Sequence, residues 1–146
     1  MKKTIILTFC IISLCSCSVP KSLYYWGGTY KDASVYENLT YQNYDKQTPE
    51  SICNLICAYE DIVKNPTGLR KMPPPGICAE YGYLLLKGET PEIFSKYATA
   101  KQKKIFASQN YGEYFGLYGI ELLEKELQLY PESAQFIKPL LDKLKR

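Results

Sequence analysis

From Thr48 onward the apolar positions recur with a helical period. Ile52, Leu55, Ile56, Tyr59, Ile62 and Val63 fall at i, i+3, i+4, i+7, i+10 and i+11, the one-sided stripe of an amphipathic helix. Thr48-Pro49-Glu50 opens it: Thr caps, Pro fits a first position that needs no N–H, and Glu meets the positive end of the helix dipole. Asn65-Pro66-Thr67-Gly68 closes it, and Met72-Pro73-Pro74-Pro75-Gly76 forms a stiff linker. A second helix follows, with Ile77, Tyr81, Leu84 and Leu85 inward, Ala79 and Gly82 as a small flank for close packing, and Gly88 as its stop. Thr90-Pro91-Glu92 repeats the start signal for a third helix, whose face is Phe94, Tyr97, Ala98, Lys101 and Ile105 and which breaks at Ser108-Gln109-Asn110-Tyr111-Gly112. Phe115, Tyr118, Leu122 and Leu129, flanked by Gly119, Leu123 and Leu127, predict a fourth helix ending at Tyr130-Pro131. Ser133 to Lys145 predicts a fifth, with Ile137, Leu140, Leu141 and Leu144 inward and Pro139 kinking or shortening its first turn.

Residues 18–47 read differently. Tyr24, Tyr25, Trp26, Tyr30, Tyr36, Tyr41 and Tyr44 come without helical spacing, around Gly27-Gly28. The expectation is an extended, aromatic-rich arm turning at the two glycines, whose backbones accept positive φ; a short strand or hairpin also fits there. The fold class is therefore all-α: about five antiparallel helices over 48–146, preceded by the arm in 17–47. The spacing of Ala79, Gly82, Leu85 and Gly88, with the later Tyr130-Pro131, is tetratricopeptide-like. More residues separate them than one such repeat holds, so the domain is repeat-like rather than an array.

The first residues change the picture most. Met1-Lys2-Lys3 precedes an apolar run from Ile5 to Leu14, too short to span a bilayer as a helix, which needs ~20 residues. Leu14-Cys15-Ser16-Cys17 follows, and small Ser16 suits cleavage just before Cys17. Residues 1–16 are thus expected to be a lipoprotein signal peptide and Cys17 the lipidated residue. Ser18, not Asp, stands next, which in Gram-negative sorting implies the outer membrane, with the domain facing the periplasm. An ordinary signal peptide with an incidental cysteine is the plainer alternative.

Taking 16 from 146 leaves 130 residues, enough for one domain that folds without disulfides. Loss of Lys2 and Lys3 lowers the formal net charge from +3 to +1, which removes any electrostatic case for nucleic acid. Lys101, Lys103 and Lys104, and the terminal Lys143, Lys145 and Arg146, read as solvated helix ends. Cys53, Cys57 and Cys78 survive in the mature chain. An oxidising compartment permits a disulfide, and pairing Cys78 with Cys53 or Cys57 suits bridge geometry better than joining two neighbours on one helix face. Buried, unpaired thiols acting as small hydrophobes remain the preferred reading.

With Cys17, the stretch Leu23-Tyr24-Tyr25-Trp26-Gly27-Gly28-Thr29-Tyr30, Tyr36, Pro74-Pro75-Gly76, Ala79-Glu80-Tyr81-Gly82, Leu85, Gly88, Glu126 and Tyr130-Pro131-Glu132-Ser133, the chain resembles the small bacterial lipoproteins grouped as domain of unknown function 4810. The resemblance covers most of the mature chain. It implies a partner of the curli-secretion-like, pore-forming lipoprotein type, a second small lipoprotein alongside, and no enzymatic activity. The chain departs from that pattern by about twenty extra residues between Gly88 and Gly119, and by Cys53, Cys57 and Cys78.

Enzymatic chemistry finds little support in the residues. The chain has no histidine, so no Ser–His or Cys–His pair can activate a nucleophile, and neither a metal-ligand spacing nor a phosphate loop occurs. Glu60-Asp61 and Glu124 with Glu126 are expected to face solvent, and Glu80 is the acid placed to tune Cys78. No cofactor or metal is expected. A binding module fits better, because tyrosine suits contact surfaces. Tyr24, Tyr25, Trp26, Gly27 and Tyr30 are the candidate partner-binding residues; the alternative is that this arm folds back and fills its own groove. The expected function is a non-enzymatic accessory or adaptor of a secretion or envelope complex. A thiol-based redox or stress sensor is the alternative, and a peptidoglycan-contacting lipoprotein a third.

Overall fold

The structure, a computed structural model, describes residues 21–106 and 109–145. The signal segment 1–16, the Cys17 site and part of the break at Ser108 lie outside them. A two-residue-by-two-residue hairpin comes first: β1 (Thr29–Tyr30) pairs antiparallel with β2 (Ala33–Ser34), Thr29 opposite Ser34 and Tyr30 opposite Ala33. Helices α1 (Val35–Lys46), α2 (Pro49–Lys64), α3 (Ile77–Leu86), α4 (Thr90–Tyr97), α5 (Ala100–Lys103) and α6 (Tyr111–Leu129) follow. A 3₁₀ turn (Pro131–Ser133) then leads into α7 (Ala134–Leu144). The all-α expectation stands, with seven helices among the described residues rather than five.

Two helices account for the difference. Residues 35–46, expected to be extended arm, form α1. Ser34 caps it, accepting from the Glu37 amide at 3.1 Å, which is the Ser-x-x-Glu helix-start signature inside the aromatic run. The third expected helix is two. Ala98 is extended, and Thr99 starts α5 with a capping box: its hydroxyl accepts from the Gln102 amide, and the Gln102 side chain accepts from the Thr99 amide. Phe94 and Ala98 are buried as expected, but Tyr97, Lys101 and Ile105 are exposed. Nor does Thr90 cap α4; it is buried within its first turn, and its hydroxyl donates to the Leu84 carbonyl at 2.8 Å.

The α2 expectation needed no correction at its start, since Thr48 accepts from the Ser51 amide at 3.2 Å. Leu55, Ile56, Tyr59, Ile62 and Val63 are buried, and Ile52 is half-buried. In α7, Ile137 and Leu141 are buried against Leu123, while Leu144 is exposed; the helix runs through Pro139 after its 3₁₀ start.

The tightest seam joins α3 to α6. The Gly76 amide at the head of α3 meets Glu126 near the end of α6, and Gly82 faces Gly119, so the two run antiparallel. A Cβ on Gly82 would lie 2.7 Å from the Gly119 carbonyl oxygen, and one on Gly119 2.7 Å from Leu86 Cγ. Neither clash is tolerable, so the pair of glycines sets the helix separation. Around this seam α2, α3, α4 and α6 bury Ile56, Ile62, Tyr81, Phe94, Phe115 and Leu122 in the main core. Each large apolar side chain so buried contributes on the order of 1.5–3 kcal/mol.

Candidate functional site

A row of aromatic rings crosses the domain from the N-terminal arm to α6. Trp26 lies 5.2 Å from Tyr36 of α1, Tyr36 5.8 Å from Tyr59 of α2, Tyr59 5.5 Å from Tyr81 of α3, and Tyr81 5.8 Å from Tyr118 of α6, ring centre to ring centre. Tyr114 extends the row from Tyr118 at 5.6 Å. These separations are those of aromatic pairs in contact.

The phenols are satisfied in pairs. Tyr36 and Tyr59 both donate to Glu80 Oε2 at 2.8 Å. Tyr81 and Tyr118 both donate to Glu60 Oε2, at 3.1 and 2.9 Å. Lys64 Nζ lies 2.6 Å from Glu60 Oε1, so three groups serve one carboxylate that is 2% exposed. Tyr25 of the arm donates to Asp61 Oδ2 at 2.7 Å. Taking a proton from any of these phenols would set an anion beside a carboxylate in poorly hydrated space. The Asp61 hydrogen bond, then burial, pushes Tyr25 up to about 12. Burial, then the Glu80 hydrogen bond, pushes Tyr36 up to about 12. Burial acts most strongly on Tyr59, Tyr81 and Tyr118, well above the ordinary tyrosine value. Tyr36, Tyr59, Tyr81 and Tyr118 are thus protonated phenols held on two carboxylates.

Glu60 and Glu126 therefore overturn the expectation that the paired acids face solvent. Asp61 is half-buried, and Glu124 is partly exposed 2.6 Å from Lys145 Nζ, but Glu126 is 1% exposed. Glu126 Oε1 accepts from the Gly76 amide at 2.7 Å. Oε2 makes no geometrically good hydrogen bond, although the Ala79 and Cys78 amides face the carboxylate and offset part of the upward push of burial on its pKa. Glu126 thus caps the start of α3 from fifty residues away, where Gly76 itself offers no side chain. Both acids occupy core positions of their helical stripes: Glu60 follows Ile56 by four residues, and Glu126 follows Leu122 by four. Periodicity held that signal; residue type obscured it.

Among the described residues the cysteines are free: Cys53 and Cys78 buried, Cys57 half-buried. Burial pushes their thiols up, Cys53 to about 11 and Cys57 and Cys78 to about 12. The charges acting on Cys78 are Lys125 and Glu126, not Glu80, which holds two tyrosines instead. Among the described residues no three Cys, Asp or Glu side chains gather to hold a metal.

Of the candidate partner-binding residues, four fold onto the body. The Tyr24 backbone lies against Gly68, and Arg70 Cζ stands 6.0 Å from its ring. Tyr25 holds Asp61, Trp26 packs on Tyr36, and Gly27, at φ 80°, sits against Val35 and Ile62. Tyr30 stands out in the hairpin, 56% exposed. Sequence reasoning missed a second exposed group. Tyr41 and Tyr44 of α1 are 65% and 80% exposed, and Tyr83 of α3 is 57% exposed. Tyr44 and Tyr83 rim an open cleft of about 220 Å³ between the two helices, with Thr40, Leu55, Tyr59, Glu80 and Lys87 in its walls. Compared with protein-family models, curated proteins and solved structures, the chain matches none.

Proposed function

We propose that this chain is an outer-membrane lipoprotein, anchored through Cys17 and facing the periplasm, that acts as a non-enzymatic accessory or adaptor subunit of a secretion or envelope complex. The α1–α3 cleft carries this reading. It presents Tyr44 and Tyr83 to solvent over a floor that includes Tyr59, itself held by Glu80. A rigid floor with exposed phenol rings is the composition of a protein-contact surface, where tyrosine supplies large area at low entropic cost. The partner we assign is a pore-forming lipoprotein of the curli-secretion-like type, on the resemblance of the Tyr24-to-Tyr30 and Tyr130-to-Ser133 segments. The antiparallel α3–α6 pair, joined through Gly82 and Gly119, supports a tetratricopeptide-like arrangement. The thiol-sensor alternative is weakened because all three thiols are held protonated near neutral pH, and the thiolate is the reactive form.

The test is a photo-crosslinking amino acid placed at position 44, or at position 117 of α6 as a control, in the protein's own membranes. Recovery of one pore-type lipoprotein from position 44 alone supports the reading. Recovery only from a third probe, placed at the exposed hairpin position 30, moves the contact to the hairpin. The adaptor idea fails if no position yields a specific protein.

A further inference from the structure

The first described residues are bound to the body at one defined place, and what surrounds that place has the chemistry of a membrane-contacting surface. The Leu69 amide donates to the Ser22 carbonyl and the Arg70 amide to the Leu23 carbonyl, each at 3.1 Å. Gly68 makes this possible: a Cβ there would lie 2.6 Å from Tyr24 Cα and 2.8 Å from the Leu23 carbonyl oxygen, both backbone atoms that cannot step aside. Residues 22–24 are thus bound to the connection that follows α2. Ser22 is five positions beyond Cys17. Five residues at full extension reach ~18 Å, so a lipid on Cys17 keeps this edge within that distance of the bilayer.

The side chains there fit that position. Leu23 and Leu69, on hydrogen-bonded neighbouring segments, are 50% and 60% exposed. Lys21, Arg70 and Lys71 are exposed beside them. Tyr24 lies half-buried beneath Arg70. Aliphatic tips, a tyrosine and a cluster of cations are the combination that seats a protein at an anionic lipid–water interface. We propose that the surface formed by Lys21, Leu23, Leu69, Arg70 and Lys71 rests on the bilayer itself, with the two leucines at the acyl boundary and the cations among phosphate headgroups. The proposal rests on the lipid-anchor reading for its distance argument and on exposure and charge for its chemistry.

Orientation follows. The 16 residues of α2 span ~24 Å, and α1 doubles back along α2 from the turn at Gln47. The end of the cleft near Tyr44 therefore points away from the bilayer, where a partner can reach it.

The test uses the lipidated protein in vesicles of phosphatidylethanolamine and phosphatidylglycerol with bromine-labelled acyl chains. A genetically encoded fluorophore replaces Leu69 or, separately, Leu117, which is 61% exposed on α6. Strong quenching at 69 and little at 117 is expected, and R70E/K71E should cut the quenching at 69 severalfold while the protein stays anchored and helical. Equal quenching at both positions, or none at 69, overturns the proposal. Should the purified chain carry no lipid, the anchor reading fails instead. The same vesicles then decide the surface alone: salt-sensitive binding of the unlipidated chain, weakened about fivefold per removed cation, retains it, and no binding overturns it.

Discussion

Helix α6 packs Phe115, Leu122, Leu123 and Glu126 into the interior and lets α3 approach until two glycines meet. Helix α1, in the same domain and just as rich in tyrosine, buries no residue and holds Tyr41 and Tyr44 out to solvent. The tyrosines of the first region are each tied to a carboxylate or a neighbouring ring; those two on α1 are not needed for the core. The same residue type thus serves cohesion in one place and offers contact area in the other. Packing partners, not composition, separate the two roles.

Alkaline pH should break the comparison most strongly, because it acts on the whole row at once. Tyr25 and Tyr36 have folded-state pKa values of about 12, above the ordinary tyrosine value of 10.0. The folded state therefore keeps protons that the unfolded chain releases, and the stability they contribute is present below pH 10 and lost as pH rises through 12. Circular dichroism followed together with phenolate absorbance should show these tyrosines ionising in the same cooperative step that destroys the helices; ionisation with the helices intact would contradict a bonded row. Phe115→Ala, which empties a fully buried site among Phe94, Phe106 and Tyr111, should cost about 3–5 kcal/mol in urea unfolding. The smallest effect on stability belongs to Tyr41→Ala with Tyr44→Ala, expected to stay within about 0.5 kcal/mol of the parent while reducing partner capture at least tenfold in a pull-down from membranes. A large loss of stability there would place α1 with the core.

Where residue type and periodicity agree, the fold was legible. Thr48-Pro49-Glu50 and the stripe behind it place α2 to the residue, and the small flank at Gly82 anticipates the close seam. Legibility failed where local aromatic density hid a cap, as at Ser34 and Glu37, or where a polar side chain occupied a core position. Glu60 and Glu126 belong to that second kind: their partners come from helices distant in sequence, so no local pattern reveals that the charge is satisfied. The candidate site shows the same limit. Tyr24, Tyr25 and Trp26 drew attention as a cluster in sequence, whereas Tyr44 and Tyr83 come to rim one cleft only when α1 and α3 both pack on α2.

The continuous row of rings has an optical consequence. Trp26 is the chain's single tryptophan, and it sits at the end of a file of tyrosines spaced 5.2 to 5.8 Å apart. At such separations light absorbed by a tyrosine passes from ring to ring and emerges as indole emission. The protein therefore carries a built-in fluorescent gauge: lifting the arm off α1 would separate donor from acceptor and lower the indole emission excited through tyrosine, with no dye attached.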